Sequence, residues 1–157
     1  MDRQFFILTL AAALSALLVI AAITDVKSRI ISNRLNIAVA ALAPLFWLAT
    51  GLPLWPDMFI QLALAGVVFA VFALMFALGM MGGGDVKLLA ALALWLPLQP
   101  MMSLLLIMSI LGGIVTAITL LHHKLGQRAG RPEIPYGVAI SLAGLWVVGE
   151  RYLNHFA

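Results

Sequence analysis

Cysteine is missing from all 157 residues. Its absence excludes a disulfide framework, a thiol nucleophile and a cysteine-based zinc site. Charge is scarce: 10% of residues are Asp, Glu, Lys or Arg, against 64% hydrophobic ones. A soluble domain is about half apolar and carries about 25% charged residues, so there is too little polar surface here to cover a soluble particle. That composition excludes a soluble enzyme, a disordered tail and a nucleic-acid-binding domain. Acids are the scarcer sign, six against nine Lys and Arg, for a net charge of +3. In a membrane protein such a surplus reports orientation rather than an anionic partner. The length implies one domain, residues 1–157.

Long apolar runs are plentiful. A membrane-spanning helix needs roughly 20 mostly apolar residues. Uncharged Phe5 to Thr24 meets that, and it exceeds the roughly 7–15 residues of a signal-peptide core. We read it as a retained helix. Further spans follow at about Leu35 to Thr50, Met58 to Leu78, Val86 to Leu96, Met101 to Leu121 and Val138 to Val148. The fourth is short unless it begins below the lipid surface. The expected fold is all-α, a polytopic membrane protein of about six transmembrane helices in the lipid bilayer.

The segments between the spans are of two kinds. Asp25 to Arg34, Gly79 to Lys87 and His122 to Gly137 hold seven of the nine basic residues. The alternate loops, Gly51 to Asp57 and Pro97 to Pro100, hold none, and only Arg3 and Arg151 lie on that other side. The positive-inside rule then places the three basic segments in the cytoplasm and both termini outside. Trp47, Trp55 and Trp95 fall near the outer interface, as an aromatic belt would place them.

Of the six acids, Asp2, Asp57 and Glu150 read as solvated loop or headgroup residues, and Glu133 as a counter-charge among Lys124, Arg128 and Arg131. Asp25 and Asp85 differ. Asp25 directly ends the first apolar run, and Asp85 directly opens the fourth, on the same side of the membrane. A carboxylate at membrane depth is costly and usually faces a cavity or a partner. Two of them close together can share a proton, so that one acts as general base on a water while the other polarises a carbonyl. That is the chemistry of aspartic peptide hydrolysis. The plainer alternative is that Asp25 flanks a helix and Asp85 caps one. Gly79 and the run Gly82, Gly83, Gly84 favour a site. Glycine reaches backbone angles closed to other residues and admits close approach of another chain. Irregular backbone at membrane depth is tolerated only where it is buried in protein or lines water.

Lys87, two residues beyond Asp85, points to another helical face and suits a headgroup. Asn33 and Asn36 suit capping and interface anchoring. His122 and His123 lack metal-ligand spacing, so no metal or other cofactor is expected.

These residues resemble the prepilin peptidases, a family of GxGD-type intramembrane aspartyl peptidases. The resemblance rests on Gly82-Gly83-Gly84-Asp85 with Val86 and Lys87 after it, on Asp25 followed by Ile31-Ser32-Asn33 and Leu35-Asn36, and on Ile134-Pro135-Tyr136-Gly137. Three motifs in the expected order cover the chain. The resemblance implies that Asp25 and Asp85 are the catalytic pair, and that Gly82, Gly83, Gly84, Lys87, Pro135 and Tyr136 shape the pocket or hold substrate. It implies a bacterial inner-membrane enzyme, active towards the cytoplasm, that removes the basic leader of a type IV prepilin or pseudopilin. Many members also methylate the new N-terminus and carry a cytoplasmic insert with paired cysteines. This chain has neither insert nor cysteine and looks like the short, cleavage-only type that serves tight-adherence (Flp) pili. Ser32 stands where many relatives have proline. The rival reading is a transporter or a structural subunit of a secretion machine. A transporter should carry coupling groups near mid-bilayer, and spans one, two, three and five have none.

Overall fold

In lipid a backbone must satisfy its own polar groups, so the apolar runs become helices. The computed structural model describes residues 2–125 and 134–153. They form α1 (Arg3–Ser28), α2 (Asn33–Thr50), α3 (Phe59–Ala77), α4 (Gly83–Ala93), α5 (Leu98–Leu125) and α6 (Tyr136–Leu153), with an irregular helical turn at Leu54–Met58 and no strand among the described residues. Three stretches, Arg3–Ser28, Leu54–Ala77 and Leu98–His122, are long and apolar enough to cross a membrane. Helices α2 and α6 have 18 residues each, and α4 has 11. At 1.5 Å per residue α4 is only about 16 Å long, roughly half the hydrocarbon thickness. Glu133, Arg128 and Arg131, expected in the last basic loop, lie outside the described residues.

The chain has two distinct ends. At one, Arg3 Nε donates to Ala49 O at 2.7 Å, and its Nη2 donates to Thr50 O. A guanidinium thus covers the last carbonyls of α2, where the helix dipole is negative. Gln99 and Pro100 meet Val147 and Arg151 at that end too. At the other end lie the α1–α2 link, the start of α4 and the start of α6, where Ile31 touches both Gly84 and Gly137. Lys27, Arg29, Arg34 and Lys87 are on these segments. The alternation of basic and uncharged connections is therefore a real separation of ends.

Helix α1 packs on α2 and α6, α5 on α6, and α4 on α2, α3 and α6. Leu18, Leu88, Leu89, Leu92, Leu104 and Ile140 are fully buried where these faces meet. A Cβ at Gly144 would lie 3.0 Å from Leu18 Cδ1, so the absence of a side chain lets α1 and α6 close. Outward positions such as Leu74, Leu106 and Ile110 are exposed. With hydrocarbon outside, cohesion between helices comes from packing and hydrogen bonds rather than from burial away from water.

A helix as short as α4 keeps its ends inside protein, and those ends need partners. Gln61 on α3, buried, donates from Nε2 to Ala93 O at 2.6 Å and to Leu96 O at 2.7 Å. Trp47 Nε1 donates to Leu94 O at 2.7 Å, and Trp95 Nε1 donates to Val39 O at 2.9 Å. This corrects the aromatic-belt expectation for two of three tryptophans. Trp47 and Trp95 are buried and tie α2 to the end of α4, whereas Trp55 is exposed. A sequence position near an interface does not distinguish an indole facing lipid from one facing a short neighbouring helix.

Candidate active site

Helix α1 does not stop at Asp25. It runs one further turn to Ser28 and ends at Arg29, whose φ of 55° is left-handed and whose N–H donates to Asp25 O. Asp25 is therefore inside the last turn, and only 4% exposed. What faces it is the start of α6. The Val138 N–H donates to Asp25 Oδ2 at 3.0 Å, and the Gly137 amide also faces this carboxylate. First-turn amides have no partner within their own helix, and they carry the positive end of its dipole. The proline before Tyr136, buried Pro135, lies just outside that turn. Gly137 permits the approach: a Cβ there would lie 2.9 Å from the Asp25 carboxyl and 2.6 Å from Ile31 Cδ1. The Arg29 guanidinium adds positive charge near Asp25.

Asp85 is the third residue of α4 and is 8% exposed. It does not cap the helix in the expected way. Gly82 holds the cap position, and the Gly82 amide faces the Asp85 carboxylate from there. A Cβ at Gly82 would lie 3.0 Å from Asp85 Oδ2. The two carboxylates are close enough for the charge of Asp25 to act on Asp85. Two acids 60 positions apart are thus buried together at one end of the bundle, each facing the amides of a helix start.

Ile31 closes the arrangement. It is buried, and a Cβ at Gly84 would meet its carbonyl oxygen at 2.9 Å. Gly84 is helical and has no positive φ. Its glycine is required by the close passage of the Ile31 backbone, not by an unusual backbone angle. Asn36, 5% exposed, donates from Nδ2 to Gly84 O at 3.1 Å and so fastens the start of α2 to the same turn.

The remaining expected residues lie around this centre. Gly83 packs on the Phe76 ring at the end of α3. Lys87 points away from Asp85, and its Nζ donates to Asn33 Oδ1 at 2.7 Å on the exposed surface. Tyr136 is half-buried with its ring against Gly112 of α5, away from the carboxylates. Reading the sequence alone gave Ile31 and Val138 no role and gave Asn36 capping or interface anchoring, whereas it is buried and holds Gly84 O. Ile31 and Asn36 sit inside a quoted motif, so their positions were visible though their contacts were not. Val138 acts through its backbone, which carries no side-chain signature.

With this geometry in place, comparison with known families becomes decisive. Residues 12–117 match the model of the type IV leader peptidase family. The chain belongs to that family. No significant match exists among curated proteins or solved structures. The matched stretch contains Asp25 and Asp85 and ends within α5, so the α6 amides that hold Asp25 lie beyond it. Membership in the type IV leader peptidase family points to an aspartic-type peptidase acting on leader peptides, in a helical membrane protein.

Proposed function

We propose that this chain is a prepilin peptidase in which Asp25 and Asp85 together activate water against the peptide bond that joins a basic leader to a type IV pilin. The observation that carries the reading is the joint burial of these two carboxylates at one end of the bundle. One, ionised, takes a proton from water as that water attacks the carbonyl carbon. The other, protonated, donates a hydrogen bond to the carbonyl oxygen. The tetrahedral intermediate then collapses, its C–N bond breaks, and a carboxyl group returns a proton to the leaving amine. No covalent bond to the enzyme forms. The amides of Gly137 and Val138 hold Asp25 in place through the cycle.

The substrate is of the tight-adherence class, and the enzyme cleaves without methylating. The missing insert and the absent cysteines support this part of the reading. The catalytic end faces the cytoplasm of a bacterial inner membrane, supported by the gathering of Lys27, Arg29, Arg34 and Lys87 there. Lys27 and Arg29 serve orientation, because like charges would repel a basic leader. Co-expression with a cognate prepilin tests the proposal. A mobility shift of the precursor is expected with wild type and not with Asp25→Asn. Absence of the shift with wild type at normal membrane abundance would return the chain to the transporter or structural reading.

A further inference from the structure

A groove of about 450 Å³ between α2, α3 and α4 contains neither carboxylate but shares Asn36 with the turn that carries Asp85. Most of its wall is apolar, with Ile37 and Ala40 on α2, Phe69 on α3 and Ala90 and Leu94 on α4. On α4 the lining runs through Lys87, Ala90 and Leu94, two turns of one face, or about 10 Å. One end is polar. There Lys87 bonds to Asn33, and there Asn36 lies with Nδ2 on Gly84 O. The other amide atom of Asn36, Oδ1, is buried and has no hydrogen-bond partner among the described residues. The bond from Nδ2 to a carbonyl decides which end of the amide is which. A buried acceptor without a donor is costly, and more so away from bulk water.

The first turn of a helix has the complementary defect, backbone N–H groups without acceptors. Such a turn is what a prepilin offers where its apolar helix begins, just beyond the bond to be cut. An acyl chain fills an apolar groove equally well but brings no N–H to Asn36. The route from the carboxylates is short. Asp85 and Lys87 face opposite sides of α4, about 200° apart at 100° per residue. At the end of α4 between those sides Gly83 is covered by Phe76 and Gly84 by Ile31, which leaves Gly82, with only Asp85 beside it, as the point where a crossing peptide meets no side chain. We propose that this groove docks the first turns of the substrate's apolar helix, on the carboxy-terminal side of the cleaved bond, with Asn36 Oδ1 accepting one of its free N–H groups. The assignment rests on the peptidase reading and adds to it a recognition site distinct from the carboxylates.

The test uses the full-length enzyme in membranes with its prepilin. A photo-crosslinking residue at Ile37, in an Asp85→Asn background that retains the precursor, should form an adduct with the first residues after the cleaved bond. The same residue at exposed Leu106 on α5 should not. In the cleaving enzyme Ala40→Trp and Ala90→Trp fill the groove and should each raise KM at least about tenfold, equivalent to about 1.4 kcal/mol of binding, at normal abundance. Asn36→Leu removes the acceptor together with the Nδ2 bond to Gly84 O, so it should raise KM and lower kcat together. Adducts confined to the leader, to phospholipid or to a second copy of the enzyme would overturn the assignment. So would wild-type KM in both tryptophan variants. Wild-type cleavage with an indifferent groove removes only this docking site, whereas failure of wild type to cleave removes the peptidase reading beneath it.

Discussion

Asp25 can meet the start of α6 only because a glycine lies opposite it. The carboxylate and the Val138 amide meet at 3.0 Å, and a methyl group at position 137 would stand 2.9 Å from the same carboxyl. Gly137→Ala should therefore push α6 away and cut cleavage at least about tenfold, the scale set by small misplacement of catalytic groups. Gly113→Ala is the matched control. It has nothing within 4 Å of its missing Cβ, so cleavage should be unchanged and thermal stability in detergent equal or slightly higher, since alanine favours helix by about 1 kcal/mol. The pair of acids invites a second measurement. Asp25→Asn and Asp85→Asn should each lower the single-turnover rate by about 10²–10⁴-fold, the range of general acid–base catalysis. The double variant should be little slower than either single one, because groups that act as a unit are not additive. Multiplying losses would show two independent contributions and sink the shared-proton mechanism. Asp57→Asn, in the loop at the opposite end, should keep wild-type rates.

At the scale of elements, α4 is the piece whose placement matters most. Its 11 residues hold Asp85, and neighbours grip it at both ends. Asn36 holds the first turn through Gly84 O, while Gln61 and Trp47 hold the last carbonyls. Polar side chains are uncommon inside a membrane bundle and are retained where they satisfy backbone groups. Gln61→Leu keeps the volume but removes two hydrogen bonds from buried carbonyls. It should destabilise the protein by about 1–3 kcal/mol, read as a lower unfolding midpoint in detergent, because unsatisfied buried acceptors carry that cost. Since Gln61 is at the far end of α4 from Asp85, cleavage per folded molecule should stay within about twofold of wild type. A large loss of rate at unchanged stability would mean that the far end of α4 sets the position of Asp85.

For the whole molecule the governing feature is polarity between ends. The carboxylates, the glycine turn and the described basic residues of the connections gather at one end, and the Arg3 clamp on Ala49 and Thr50 marks the other. Beyond the carboxylates α5 continues. Gly112 is level with Tyr136, and the helix runs on to Leu125, 13 residues or about 20 Å further. The end of α5 thus reaches past the level at which α6 begins. Reporters fused after Ser28 and after Lys124 should read cytoplasmic, and one after Pro56 should read external. An external reading after Ser28 would put the carboxylates in the wrong compartment for the proposed cleavage.

Length, composition and long apolar runs by themselves determined an all-helical membrane protein. The spacing of charges determined which connections share an end, because insertion is biased by lysine and arginine near the spans. Asp25, Asp85 and the glycine run were legible as a candidate site for the same reason: a membrane chain has few acids, and those at helix ends stand out. The partners of these residues were not legible. That α1 continues past Asp25, that α6 offers it two amides, and that Ile31 threads between Gly84 and Gly137 depend on contacts between segments far apart in sequence. The same limit misplaced Trp47 and Trp95, which lie in the core rather than in the interface. Hydropathy reports how apolar a segment is but not which neighbour it faces, and in lipid both faces of a helix can be equally apolar. Only tertiary packing, through the few positions small enough for helices to touch and the few polar groups that need partners, decided which atoms meet at the carboxylates.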